Sequence, residues 1–224
     1  MREHHIEVPR TARYHVAGDP GPATRDLWFV CHGYGQLARL FLRHFEPLAA
    51  GHRAIIAPEA LSRFYLEDPE GGHADARVGA TWMTREDRLT EIADYVRYLD
   101  AVHAEVAGAI PHADRRVVVL GFSQGAATAC RWVTGGRIQP HELVLWGERL
   151  PHDLDLAAHA GALRAVRLTF VVGLEDPYVS REAVAEQEAL LTGQRIPYRL
   201  LTFEGGHRMD AATLVRLAEA PTSS

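Results

Sequence analysis

Lysine is absent from this 224-residue chain, so apart from the amino terminus and any protonated histidine every cation is an arginine. The arginines are dispersed, with no run longer than Arg115-Arg116, and 24 of them against 29 aspartates and glutamates leave a formal charge of −5. A surface without clustered basic charge lacks the footprint of a nucleic-acid binder, and no nucleic-acid partner is expected. Cysteine is scarce too: Cys31 and Cys130 cannot build a disulfide framework. Long apolar runs are missing, since stretches such as 27–31 and 117–120 fall far short of the roughly 18 residues of a membrane span, so no stable membrane insertion is expected. The start Met1-Arg2-Glu3-His4-His5 has no apolar core of a secretory signal, and the expectation is a cytoplasmic protein with free thiols. Histidine is plentiful at 13, yet no two stand three or four residues apart as on a zinc-binding helix. No metal and no cofactor are expected.

What is present points to one globular domain over residues 1–224: 47% of the residues are apolar, enough for a chain of this length to bury roughly 70% of its unfolded surface. Short runs rich in Val, Ile, Leu and Phe alternate with longer amphipathic segments, the pattern of α/β proteins with a mostly parallel sheet flanked by helices. Strands are predicted at 27–31, 54–57, 117–120, 143–146, 168–172 and 198–202, and helices at 37–50, 85–107, 124–134, 181–192 and 209–220. In the second helix Leu89, Ile92, Val96, Leu99, Val102 and Val106 recur at three- and four-residue steps, one stripe facing the sheet. Thr84 with Asp87 reads as its capping box. The stretch through Val16 is expected to supply one or two edge strands before the turn Gly18-Asp19-Pro20-Gly21-Pro22. Residues 58–84, with Gly71-Gly72 at their centre, form a long irregular segment and a candidate substrate wall. No stretch is left over for a separate cap domain.

Chemistry concentrates in Gly121-Phe122-Ser123-Gln124-Gly125, placed between an apolar strand and a small-residue helix. In that setting G-x-S-x-G is a nucleophile elbow: a strained turn lifts the serine hydroxyl off the sheet, and the glycines avoid clashes with neighbouring backbone. A serine needs a base, and the base a carboxylate to fix its tautomer. In the order serine, acid, histidine, Asp176 follows the strand at 168–172 and His207 follows that at 198–202. Glu175 is an alternative acid, but the shorter Asp176 better suits a turn holding imidazole. His207 is the one histidine after the last strand. Cys31-His32-Gly33-Tyr34-Gly35-Gln36 closes the first strong strand, and the backbone N–H groups of Tyr34 and Gln124 are the natural oxyanion donors. Cys31 reads as a small buried residue rather than a thiol nucleophile, and His4-His5 as a solvated terminus. Phe64, Tyr65 and Trp82 either line an acyl pocket or are ordinary packing.

His32-Gly33-Tyr34-Gly35, Gly121-Phe122-Ser123-Gln124-Gly125, Asp176-Pro177 and Gly205-Gly206-His207 resemble the small carboxylesterases related to acyl-protein thioesterases and bacterial phospholipase/carboxylesterases. The resemblance covers about residues 27–209 and implies the α/β-hydrolase fold. It also implies hydrolysis of carboxylic esters or thioesters, with Ser123 as nucleophile, Asp176 as acid, His207 as base, and Tyr34 and Gln124 as oxyanion hole. The implied partner is a small-molecule or lipid-like acyl ester. Three departures leave the substrate open: Tyr34 where the family typically has leucine, Gln36 where it has aspartate, and Thr81-Trp82-Met83-Thr84 in place of Trp-Phe-Asp. The other readings are a hydrolase-fold protein that binds an apolar ligand without turnover, and an amidase or peptidase using the same triad. Monomer and homodimer are both open.

Overall fold

The computed structural model describes residues 1–49, 51–67, 75–110 and 115–219. In chain order its elements are β1 (Tyr14–Ala17), β2 (Asp26–Cys31), α1 (Ala38–Phe41), β3 (Arg53–Pro58), β4 (Ser62–Tyr65), β5 (Val78–Thr81), α2 (Arg88–Gly108), β6 (Arg116–Phe122) and α3 (Gln124–Gly135). There follow β7 (Glu142–Trp146), α4 (Leu156–Arg164), β8 (Arg167–Gly173), α5 (Arg181–Gly193), β9 (Tyr198–Phe203) and α6 (Ala211–Ala218). The main sheet has the order β1-β3-β2-β6-β7-β8-β9. Edge strand β1 is antiparallel to β3, and every other pairing is parallel. Strands β4 and β5 make a separate antiparallel ribbon. Among the described residues, no helix is long and apolar enough to cross a membrane.

The central strands read as unbroken apolar runs because helices cover both faces of a parallel sheet. Alternate residues of β2 go opposite ways. Leu27, Phe29 and Cys31 join a core under α2, α3 and α5 with Tyr95, Leu99, Trp132 and Leu191. Trp28 and Val30 join a second core with Phe41, Phe45, Trp146 and Leu217, covered by α1 and α6. Trp28 also ties that face to the charged lower edge: its Nε1 donates to Asp26 Oδ1 at 3.0 Å, Arg53 donates to Asp26 Oδ2, and both Arg53 and Arg116 lie over the indole.

All six predicted strands form, and the N-terminal stretch supplies one edge strand, β1. Several local expectations do not hold. The helix expected over 37–50 is one turn, α1, continued by short 3-10 turns around Pro47, whose ring and missing N–H interrupt the α-helical ladder. The Thr84–Asp87 capping box is not made: Asp87 sits at φ 46° without capping through its side chain, while the Thr84 N–H donates to Glu91 at 2.6 Å. Leu89, placed on the buried stripe, is exposed, because α2 begins at Arg88 and meets the sheet only from Ile92 onward. Helix α4 was not predicted, although its start carries an Asp155 cap accepting from Ala158 N at 3.0 Å. Residues 58–84 are more regular than expected, since they contain β4 and β5; Gly71-Gly72 lie outside the described residues.

Trp28 is fully buried and bridges the second core to the charged edge. Trp28→Ala is therefore expected to cost about 3–5 kcal/mol of stability, by cavity formation and the loss of a buried hydrogen bond. Equilibrium denaturant unfolding measures this, and a loss below about 1 kcal/mol would contradict the packing described.

Candidate active site

Ser123 stands between the end of β6 and the first turn of α3 with φ 52° and ψ −125°, outside the conformations a residue with a side chain ordinarily adopts. Glycine on either side makes this turn possible. A Cβ at Gly121 would lie 2.0 Å from the Gly125 carbonyl oxygen, and one at Gly125 would lie 2.1 Å from the Cys31 carbonyl oxygen. The Ser123 N–H donates to Trp146 O at 2.8 Å, fixing the turn to β7. The Ser123 hydroxyl has no hydrogen-bond partner among the described residues. The turn thus presents an uncommitted hydroxyl at the carboxyl ends of the strands, where open α/β sheets place their ligands.

His207 and Asp176 meet at the same end of the sheet. His207 Nδ1 lies 2.8 Å from Asp176 Oδ2, and the Asp176 side chain is only 1% exposed. Because a carboxylate only accepts, Nδ1 carries the hydrogen and the lone pair is left on Nε2. Glu175, the alternative acid, is exposed and contributes its backbone N–H to Gly205 O at 2.9 Å, which joins the loop bearing Asp176 to the loop bearing His207. Asp176 Oδ1 accepts from Tyr178 N at 2.9 Å. The imidazole sits between the rings of Phe122 and Tyr178, each with its centroid 4.8 Å away. Gly147, at φ 64°, leaves room for it: a Cβ there would lie 3.0 Å from His207 Cε1. Trp146 joins both halves, accepting from Ser123 N through its carbonyl and donating from Nε1 to Arg208 O at 2.9 Å.

The turn after β2 supplies the third component. The N–H groups of Tyr34 and Gln124 have no acceptor among the described residues, whereas Gly33 N donates to Gln36 Oε1 at 2.8 Å and Gly35 N to Ala80 O at 2.9 Å. The turn is held from inside by His32, which is fully buried. Its Nε2 accepts from Ala60 N at 3.1 Å, so Nδ1 carries the hydrogen and donates to Gly33 O at 2.8 Å. Burial pushes this imidazole down to about 4, outweighing the Gly33 carbonyl and Glu59, which act the other way. The Gln124 side chain braces the elbow by donating to Met83 O at 2.8 Å and accepting from Trp82 N at 3.1 Å. Cys31 is buried and its thiol is pushed up by desolvation, so it is held as a neutral thiol.

The three expected substrate-contacting residues separate. Trp82 is 2% exposed and donates from Nε1 to His32 O at 2.8 Å, so it supports the turn after β2 from the core. Half-buried Phe64 packs on exposed Tyr34 with ring centroids 5.2 Å apart, and Tyr65 is exposed; both lie on β4, beside the turn. None of the three lines the cavity that opens on Ser123. Of the described residues among 58–84, Met83 alone lines it; the other walls are the starts of α2 and α4, α3, α5 and the loop after β7, and that loop was not expected to form a wall. The signal for that loop was faint: Pro151 and Asp155 bracket a turn and a helix cap, features shared by many loops without function.

His32 gives a pH test with a defined sign. Its folded value lies below the ordinary histidine value of 6.5, so its contribution is complete above pH 6.5 and is lost as the pH falls toward 4. His32→Asn is expected to be less stable at pH 7, and the gap to the parent protein is expected to narrow by about 2–3 kcal/mol between pH 6.5 and 4. Denaturant titrations across that range check it; a gap that does not change with pH would refute the buried neutral imidazole.

No family model matches the chain, and no curated protein matches it in sequence. Solved structures do resemble it. The acyl-protein thioesterase 2 of Zea mays is 18% identical over 93% of this chain and 97% of that chain, with a TM-score of 0.68. Esterase PE8 is 21% identical over 93% and 97% at 0.66, and a carboxylesterase from Mesorhizobium loti is 17% identical over 94% and 95% at 0.67. At such identities the likeness is one of backbone path, and with the mostly parallel, helix-covered sheet it shows that the chain has the α/β-hydrolase fold.

Proposed function

We propose that the chain is a cofactor-independent serine hydrolase that cleaves carboxylic esters or thioesters through an acyl-enzyme. The observation that carries this reading is the 2.8 Å bond from His207 Nδ1 to a buried Asp176, at the strand ends where Ser123 holds a free hydroxyl in a strained turn. The esterases and the thioesterase that share its fold support ester chemistry over the other reactions of this scaffold.

Ser123 Oγ attacks the carbonyl carbon while its proton passes to His207 Nε2, and Asp176 orients and stabilises the resulting imidazolium. The oxyanion takes the N–H groups of Tyr34 and Gln124, at the positive end of α3. Collapse of the tetrahedral intermediate breaks the bond to the leaving oxygen or sulfur, which receives the proton from His207. Water then gives a proton to His207 and adds to the acyl carbon. The second collapse returns that proton to Ser123 and releases the free acid.

Ser123→Ala is expected to lower kcat on para-nitrophenyl butyrate by at least about a thousandfold, and a fluorophosphonate probe is expected to label Ser123 alone. Retained turnover in the variant, or no adduct on the native protein by mass spectrometry, would sink the proposal. Asp176→Asn should lower kcat by about a thousandfold or more while leaving the circular dichroism spectrum unchanged, because it removes the acceptor that fixes the imidazole tautomer. A loss of less than tenfold would remove Asp176 from the triad.

A further inference from the structure

The cavity opening on Ser123 has a volume of about 650 Å³, and one face of α3 forms its floor. Gln124, Ala127 and Arg131 follow one another at three- and four-residue steps, which sets the Arg131 Cα about 12 Å along the helix from Ser123. Met83, Leu150, Leu154, Leu156 and Leu190 make the sides aliphatic. Arginine is out of keeping with such a lining, yet Arg131 is only 8% exposed and Arg88, the first residue of α2, lines the cavity with it. Both bind Asp153, Arg131 through Nη2 to Oδ1 at 2.8 Å and Arg88 through Nη2 to Oδ2 at 2.7 Å. Asp153 itself is not part of the lining, whereas both arginines are, and Arg131 Nη1 also donates to Tyr95 Oη at 3.5 Å.

One carboxylate neutralises one of these two cations. Hydrogen bonds from Arg88 and Arg131 hold the Asp153 carboxyl well below the usual carboxylate range. Three other charged side chains, Glu148, Arg149 and Glu186, line the cavity. Arg149 pairs with Glu186 at 3.6 Å, and Glu148 accepts the Arg149 backbone N–H at 2.9 Å. Glu148 follows Gly147, which packs on His207. His152 is exposed. Two cations that share one carboxylate therefore stand on the cavity wall two turns down α3 from Ser123.

Resting on the hydrolase reading above, we infer that the substrate is an ester or thioester bearing a short aliphatic chain tipped by a carboxylate, which Arg88 and Arg131 bind. A guanidinium fork suits a carboxylate in geometry as well as charge. Arg131 is already desolvated, so an incoming anion meets a stronger field there than at the surface.

The test compares para-nitrophenyl monoesters of succinic, glutaric, adipic, pimelic and suberic acids with para-nitrophenyl esters of methyl-ended acids of the same lengths. A second arm compares acetate esters of terminal-hydroxy carboxylic acids with alkyl acetates, which places the charged chain on the alcohol side. In at least one arm and at one chain length, kcat/KM for the carboxylate-ended ester is expected to exceed its methyl-ended partner by about tenfold. Arg88→Gln, which leaves the Arg131–Asp153 pair intact, is expected to bring that ratio down to about two or less. Arg131→Lys, which keeps the charge but loses the fork, is expected to lower it by a smaller factor. A ratio near one at every length in both arms, or a ratio that Arg88→Gln leaves unchanged, overturns the assignment and leaves the Arg88–Asp153–Arg131 cluster a clamp for the loop after β7. If the methyl-ended esters are cleaved without preference, the hydrolase reading survives this failure. If no ester is cleaved and Ser123 takes no fluorophosphonate, that reading is the one that fails.

Discussion

Helix α3 starts closer to the end of β2 than any side chain would permit. Cβ atoms at Gly121 and Gly125 would lie 2.0 and 2.1 Å from backbone oxygens, so this approach exists only because both positions are glycine. Everything else at the strand ends depends on it. The approach sets the N–H of Gln124 beside the turn that carries the N–H of Tyr34, and it forces Ser123 into its φ of 52°. Strain of this kind persists where the surroundings over-determine it, and here Trp146 O accepts from Ser123 N while the Gln124 side chain is fastened to Thr81, Trp82 and Met83.

The polar groups around the elbow are held by partners that were unremarkable in the sequence. His32 has both ring nitrogens committed to backbone, so it shapes the turn as a neutral buried strut. Trp82 caps the His32 carbonyl from the core. Trp146 connects the serine turn with the loop bearing His207. The loops bearing Asp176 and His207 in turn continue the β8–β9 pairing, through Leu174 N to Phe203 O and Glu175 N to Gly205 O, so Asp176 and His207 are registered by the sheet. Preorganisation here is a property of backbone hydrogen bonds and aromatic packing, which hold donors in place before any substrate arrives.

Much of this was legible in the sequence. The six parallel strands stood out because burial on both faces demands continuous apolar runs, and the Ser123, Asp176, His207 order stood out because each follows one of those runs. Misreadings came where local and tertiary forces compete. The Thr84–Asp87 cap gave way to Glu91 as acceptor, and Leu89 sits beyond the reach of the sheet although it continues the helical stripe. Trp82 has the look of a pocket residue, and only the packing of β5 against the β2 turn reveals it as support. Glu175 and Asp176 are equally acidic in sequence, and burial of one against His207 separates them.

Sequence by itself determined the periodicity of the elements, the glycines that allow the elbow, and the chemical types at the strand ends, since each of these is a matter of local sterics or of one residue's own chemistry. The tertiary structure alone decided which wall bounds the cavity. Arg88 and Arg131 are 43 residues apart, and Asp153 lies 22 beyond Arg131. Nothing in their spacing marks them as a group. They meet because α2, α3 and the loop after β7 pack on the same face of the sheet, and a buried cation is tolerated only where that packing brings it a partner.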